Sequence, residues 1–180
     1  IIFFSLLLFN NAYAEERENE LNNLFQQLRV SATTDATVIE NKIWKIWSTH
    51  PSSDRKGYRL TELLAQGAIL IAREELNKAY EIFTQIILVD PTWPEAWNKR
   101  ATVLYLMKKY QSSLADIKIT LTLEPRHFGA LSGQALNYIE LKQYEKAIKS
   151  YKDVQKIYPT MSGAKKMIPQ LQELINDQTV

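Results

Sequence analysis

Two histidines and two pairs of adjacent carboxylates are the side chains of this 180-residue chain best suited to moving a proton. His50 stands before Pro51 in a run of turn formers and charge, His50–Gly57, and is expected in solvent. Glu15-Glu16 lies in a polar stretch, and Glu74-Glu75 sits where one helix gives way to the next. Both pairs are expected to be solvated rather than matched for acid–base work. There is no cysteine, which removes disulfides, thiol catalysis, zinc fingers and lipoprotein attachment together. No glycine-rich phosphate loop, Gly-x-Ser-x-Gly elbow or His-Glu-x-x-His pair occurs. The expectation is a chain that is not an enzyme and holds no metal or cofactor. A net charge of +2 gives no electrostatic case for nucleic acid or for an acidic membrane.

The organising signal is a repeat. Pro91, Pro125 and Pro159 stand 34 residues apart, each closing a run that reads as a helix pair. With the proline as position 32, position 8 is Gly67, Ala101 and Ala135, and position 20 is Ala79, Ser113 and Ala147. Position 24 is Phe83, Ile117 and Tyr151, position 4 is Leu63, Trp97 and Leu131, and position 17 is Leu76, Tyr110 and Tyr144. Small residues recur where two helices must touch, and large apolar ones recur between them. Trp97, Ala101 and Leu104 share one helical face, as do Leu114, Ile117 and Leu121 on the partner helix. Each proline ends a second helix because it lacks an N–H and pushes its predecessor out of the helical region. One pair alone cannot bury its apolar face, whereas stacked pairs bury a continuous one. Trp97, at position 4 of the middle unit, is expected in the core.

These residues resemble the tetratricopeptide repeat, whose signature has Trp, Gly, Tyr, Ala, Phe and Pro at the same places. The resemblance covers roughly residues 60–159. It implies an all-α, right-handed solenoid of three helix pairs, here 60–93, 94–127 and 128–159. It also implies that positions 2, 5, 9 and 12 of each first helix line a concave face that takes a protein or peptide partner. Those are Thr61, Leu64, Ala68 and Ile71, then Glu95, Asn98, Thr102 and Tyr105, then Gly129, Ser132, Leu136 and Ile139. One variant of the family grips a carboxy-terminal carboxylate through Lys, Asn and Arg at defined positions. This chain has Leu64, Ala68, Lys99, Gly129 and Gly133 there, so that clamp is absent. The expected groove residues are Asn98, Thr102, Tyr105 and Ser132, with Arg126 and His127 at its mouth. The glycines of the stretch Gly129–Gly133 suggest close approach by a neighbouring helix or a ligand. Position 7, usually leucine in the family, is Gln66, Arg100 and Gln134. Either their stems pack and their heads reach water, or they form a polar ladder facing a partner.

The ends complete the picture. Ile1–Phe9 is apolar, followed by Ala12-Tyr13-Ala14 and then Glu15-Glu16, the pattern of a secretory signal peptide over 1–14 cut after Ala14. Residues 15–56 are expected to hold a helical hairpin that caps the first repeat, built from 17–30 and 36–49, and a loop. Residues 160–180 are expected to hold a capping helix over about 162–176, which Pro169 kinks or delays. The strings around Pro94–Thr102 and Glu124–Gly133 resemble those of small exported tetratricopeptide proteins of alphaproteobacteria. The expected role is a periplasmic or secreted adaptor for a protein or peptide, with no nucleic acid, and no membrane after signal cleavage. A structural subunit of a cell-envelope assembly, held by a convex or end surface, is the alternative.

Overall fold

A computed structural model describes the backbone of residues 2–177 and the side chains of residues 15–177. The expected signal peptide lies outside the residues whose side chains are described. Nine helices and no strand occur among the described residues. They are α1 Ile2–Val30, α2 Thr33–Trp47, α3 Arg55–Ala72, α4 Leu76–Val89, α5 Pro94–Leu106, α6 Tyr110–Leu123, α7 Phe128–Glu140, α8 Tyr144–Ile157 and α9 Ser162–Asp177. Helices α3/α4, α5/α6 and α7/α8 are the three repeat pairs, each packed on the next.

The 34-residue period is written into the backbone as well as the core. Glu74, Lys108 and Lys142, one per repeat, have φ of 60°, 59° and 56°. Each sits one residue past the C-cap of a first helix. In each repeat the chain then closes a pair of bonds back onto the helix. Glu74 N–H donates to Ile71 O and Glu75 N–H to Leu70 O, and the same pair recurs at Lys108/Lys109 and Lys142/Gln143. This left-handed turn satisfies the last carbonyls of the first helix and aims the chain into the second. Between repeats, Asp90 and Glu124 are extended and Tyr158 has likewise left the helical region, each ahead of a proline.

Small residues hold the pairs together. A Cβ on Gly67 would stand 2.5 Å from the Phe83 ring, so only glycine lets α3 and α4 meet. Ala79, Ser113 and Ala147 are fully buried. At position 7, Arg100 and Gln134 form neither solvated heads nor an outward ladder. The Arg100 guanidinium donates to Asp116 on α6 at 2.7 and 2.8 Å and to Thr84 on α4 at 3.3 Å. It lies over the Trp97 and Tyr80 rings. Gln134 accepts from Ser150 on α8 at 2.9 Å. These two bind one helix to its neighbours from within; Gln66, with no unit before it, is exposed.

Trp97 corrects the expectation made for it. It is half-buried at the seam under Arg100, donating to Pro91 O. Trp93, four residues earlier, lies in the core instead; it is 1% exposed and its Nε1 donates to Trp47 O at 2.9 Å.

The amino-terminal hairpin forms but does not cap the first repeat. Leu21, Leu24, Phe25 and Leu28 of α1 and Ala36, Ile39, Ile43 and Trp47 of α2 join the apolar cluster of α7, α8 and α9. Helix α2 runs along the row of inter-repeat turns. Glu40 accepts from Tyr158 at 3.0 Å, Trp47 stacks on His127, and beyond the helix end His50 meets Asp90 at 2.8 Å. From Glu40 to Trp47 the helix rises about 10 Å. The first repeat manages without a cap through its own polarity. Trp93, Trp97, Arg100, Val103 and Met107 face the preceding pair; the residues 34 positions earlier are Arg59, Leu63, Gln66, Ile69 and Arg73. Three of those five are polar and exposed.

His50 is likewise no loop bystander. It is 4% exposed; its Nδ1 accepts from Ser52 N–H and its Nε2 donates to Asp90. The loop is shorter than expected, since Asp54 caps α3 by accepting from Gly57 N–H at 2.7 Å. At the other end α9 lays Ala164 and Leu171 on the last repeat, with Pro169 inside the helix and Leu174 exposed. Trp93→Ala should lower the free energy of unfolding by about 3–5 kcal/mol, and Trp97→Ala by less than half of that. Urea denaturation of the two variants checks the order, which reverses if Trp97 is the core residue.

Candidate peptide-binding groove

Helices α3, α5 and α7 lie side by side and offer one continuous face. Its two edges differ. At the starts of α5 and α7 the face is walled by α2. Glu95, on the first turn of α5, is completely buried. His127 Nδ1 accepts from Ala130 N–H at 3.1 Å, which leaves Nε2–H to donate to Glu95 Oε2 at 2.9 Å. The His127 ring stacks on Trp47 at 4.0 Å between centroids and 9° between planes. Asn98 Nδ2 donates to the same Glu95 oxygen at 3.1 Å, and Lys99 Nζ stands 3.1 Å from the other. Lys99 also lies over the Trp44 ring. Burial by itself would push the Glu95 carboxyl up. The His127 hydrogen bond and the Lys99 charge outweigh it and hold the group below the ordinary carboxylate value.

Gly129 explains half of the glycine pair. A Cβ there would stand 2.4 Å from Trp44 Cη2, so the close approach is to the α2 helix. Gly133 meets only Ile117 at 3.6 Å, an ordinary contact, and leaves open space instead.

That space is a cleft of about 190 Å³ between α5 and α7. Asn98, Thr102, Tyr105 and Ser132 line it together with Ala101, Ile117, Leu136 and Asn137. Four of the six residues expected in the groove are thus brought together, and two are not. His127 is fully buried behind the stack. Arg126 points away, to α1, where it donates to Glu18 at 3.0 Å and to Asn22, pairs with Glu124 at 2.8 Å, and covers the Phe25 ring. Both were expected at the mouth because they precede the first turn of α7; the hairpin that claims them comes from residues about a hundred positions earlier. Asn98 uses one of its two amide N–H groups on Glu95, and among the described residues no hydrogen bond reaches its Oδ1, so the carbonyl can accept from a partner. Thr102 and Ser132 turn their hydroxyls back to the carbonyls of Asn98 and Phe128.

At the far edge, where α5 and α7 end, sits a group that sequence reasoning missed. Glu140 accepts from Tyr110 at 3.0 Å and from Tyr105 at 3.5 Å. The two tyrosine rings are 5.8 Å apart. Burial first, and then the Glu140 carboxylate, raise the pKa of both hydroxyls. Glu140 follows Tyr105 by 35 residues, one repeat plus one, which is the spacing that could have flagged it. Among the described residues no group of three His, Asp or Glu side chains is placed to hold a metal ion.

Residues 130–161 match the family model described as tetratricopeptide repeat. A TPR repeat-containing protein of Rhizobium etli is 32% identical over 158 residues, covering 87% of this chain and 74% of the relative. The chain belongs to the tetratricopeptide repeat family. Two solved structures share its fold. The first tetratricopeptide domain of Spaghetti (RPAP3), bound to an HSP90 peptide, superposes with a TM-score of 0.63 at 20% identity. That likeness covers 65% of this chain and 93% of that domain. MamA superposes with a TM-score of 0.62 at 16% identity over 82% of this chain and 87% of that one. In this tetratricopeptide protein the amino-terminal hairpin walls one edge of the face on which the cleft opens.

The depressed Glu95 carboxyl sets a pH dependence. Its contribution to stability is complete above the ordinary value of 4.5 and is lost as pH falls from there through the folded-state value. Thermal unfolding should therefore hold steady between about pH 7 and 5 and weaken below 4.5. In Glu95→Gln the protein should be less stable at pH 7 by about 2 kcal/mol, and the acid loss shallower. Equal acid slopes in the two proteins would remove Glu95 from this role. Arg126→Ala should cost about 1–2 kcal/mol, read in the same melts.

Proposed function

We propose that this chain is a non-catalytic adaptor that binds a protein or peptide segment on its concave face. We propose further that it acts in the periplasm or outside the cell after removal of residues 1–14. The cleft between α5 and α7 carries the first part of this reading. It is an open, partly apolar recess on the face that the family uses for partners, and Asn98 Oδ1 stands there with no bond among the described residues. A related fold, that of RPAP3, holds a peptide of HSP90. The absence of the carboxylate clamp, with Lys99 engaged by Glu95 and Trp44, argues against that particular ligand here. Export rests on the sequence pattern at Ala12-Tyr13-Ala14 alone.

Thr102 is exposed on the cleft wall, so Thr102→Lys should leave stability within about 0.5 kcal/mol while blocking entry. The chain used as bait in envelope extracts should lose its partners with this substitution. Undiminished capture would move the interface elsewhere, first to the exposed row Leu88, Val89 and Leu123 at the ends of α4 and α6. Amino-terminal sequencing of the protein from the envelope fraction should return Glu15 as the first residue; a start before it would mean an uncleaved segment.

A further inference from the structure

The groove has one acidic feature, and it is a built one. Glu140 ends α7 with each carboxylate oxygen accepting from a different tyrosine, Tyr110 at the start of α6 and Tyr105 near the end of α5. The two phenol hydroxyls fix the carboxylate, and the two rings, 5.8 Å apart and inclined at 54°, stand beside it. Each oxygen keeps a lone pair in excess of its tyrosine bond. Helices α5 and α7 both finish here, so their carbonyl ends add partial negative charge. Lys108, Lys109 and Lys142 lie on the adjoining turns, are exposed, and form no ion pair with Glu140. Carboxylate, aromatic faces and helix C-termini are three separate attractions, and all favour a cation.

Tyr105 also lines the apolar cleft of Ala101, Ile117 and Leu136. The cation site and the cleft therefore share a wall. The opposite edge is closed by α2, and Lys99 of α5, which lies over the α2 Trp44 ring, is already paired with Glu95. We propose that the groove selects a segment with a lysine or arginine beside an aliphatic residue, the cation on Glu140 between Tyr105 and Tyr110 and the aliphatic side chain in the cleft. This rests on the concave-face reading above and names the ligand class for it. The charge preference is opposite to that of a clamp for carboxy-terminal carboxylates.

A phage-displayed library of random twelve-residue peptides, selected on the whole chain and on its Glu140→Gln and Thr102→Lys variants, tests it. Wild-type selections should enrich a basic residue next to Leu, Ile, Val or Met. Representative synthetic peptides should bind Glu140→Gln about threefold to fivefold more weakly, with a flatter salt dependence, and should lose binding to Thr102→Lys. Enriched peptides that are neutral or acidic, yet still blocked by Thr102→Lys, overturn the cation site and leave the groove reading standing. Peptides unaffected by Thr102→Lys, or no enrichment at all, overturn both. Melting curves of Glu140→Gln within a few degrees of wild type tie its loss to the charge.

Discussion

Trp47 stacked on His127 is the contact on which the rest of the structure turns. In an array of helix pairs each unit touches only its neighbours, and stability accumulates along one dimension. Helix α2 breaks that rule. Its carboxy-terminal tryptophan covers the His127–Glu95 pair with its ring and accepts from Trp93 with its carbonyl, so one residue joins two inter-repeat turns. Three residues later His50 reaches the earlier turn at Asp90, and seven residues before it Glu40 reaches the last at Tyr158. The Trp47 indole N–H itself is buried without an acceptor, a penalty of about 1–3 kcal/mol. Its contacts with Phe25, Trp44, His127 and Phe128 must outweigh that.

The stack also decides which groups can meet a partner. By burying Glu95 and walling the start of α5, the hairpin removes position 2 of the groove from use in the second repeat. Lys99 is drawn to Glu95 and Trp44, and Arg126 to α1. Two cations that a linear reading sets near the groove are thereby consumed by the scaffold. What remains open lies toward the ends of α5 and α7, where the Glu140 carboxylate stands on the face and Lys108, Lys109 and Lys142 stand on the adjoining turns. A groove closed at one edge and acidic at the other is a product of the hairpin as much as of the repeats.

The two ends of the array are finished by different means. The last repeat is covered by α9 and α1, which bury Tyr151, Val154 and Leu171. The first repeat instead carries arginine and glutamine at places where its successor carries tryptophan, methionine and an inward-bonded arginine. Pairing Arg100 with Asp116 and Thr84 within the seam satisfies a polar residue at a position that would otherwise favour leucine. The same position in the first repeat, Gln66, faces no preceding helix and stays in solvent.

The repeats, their helix pairs, the small contact residues and the inward positions of α5 and α7 were legible in the chain. All follow from local rules: a 34-residue period, a 3.6-residue face and prolines that end helices. Asn98, Thr102, Tyr105 and Ser132 were found because repeat register alone sets the direction of a side chain on a first helix. Arg126, His127, Trp97 and the placement of the hairpin were not legible. Trp97 depends on how the α4/α5 seam closes; the others depend on which surface α1 and α2 bury against, and the apolar faces of those helices fit either end of a solenoid by pattern alone. The left-handed turns at Glu74, Lys108 and Lys142 were invisible for a related reason, because none of the three is the glycine that would announce positive φ. Sequence determined the repeating unit, since its information is carried within 34 residues. Only the tertiary structure decided where the non-repeating hairpin docks, since that choice is made by shape and by buried partners brought together across more than a hundred residues.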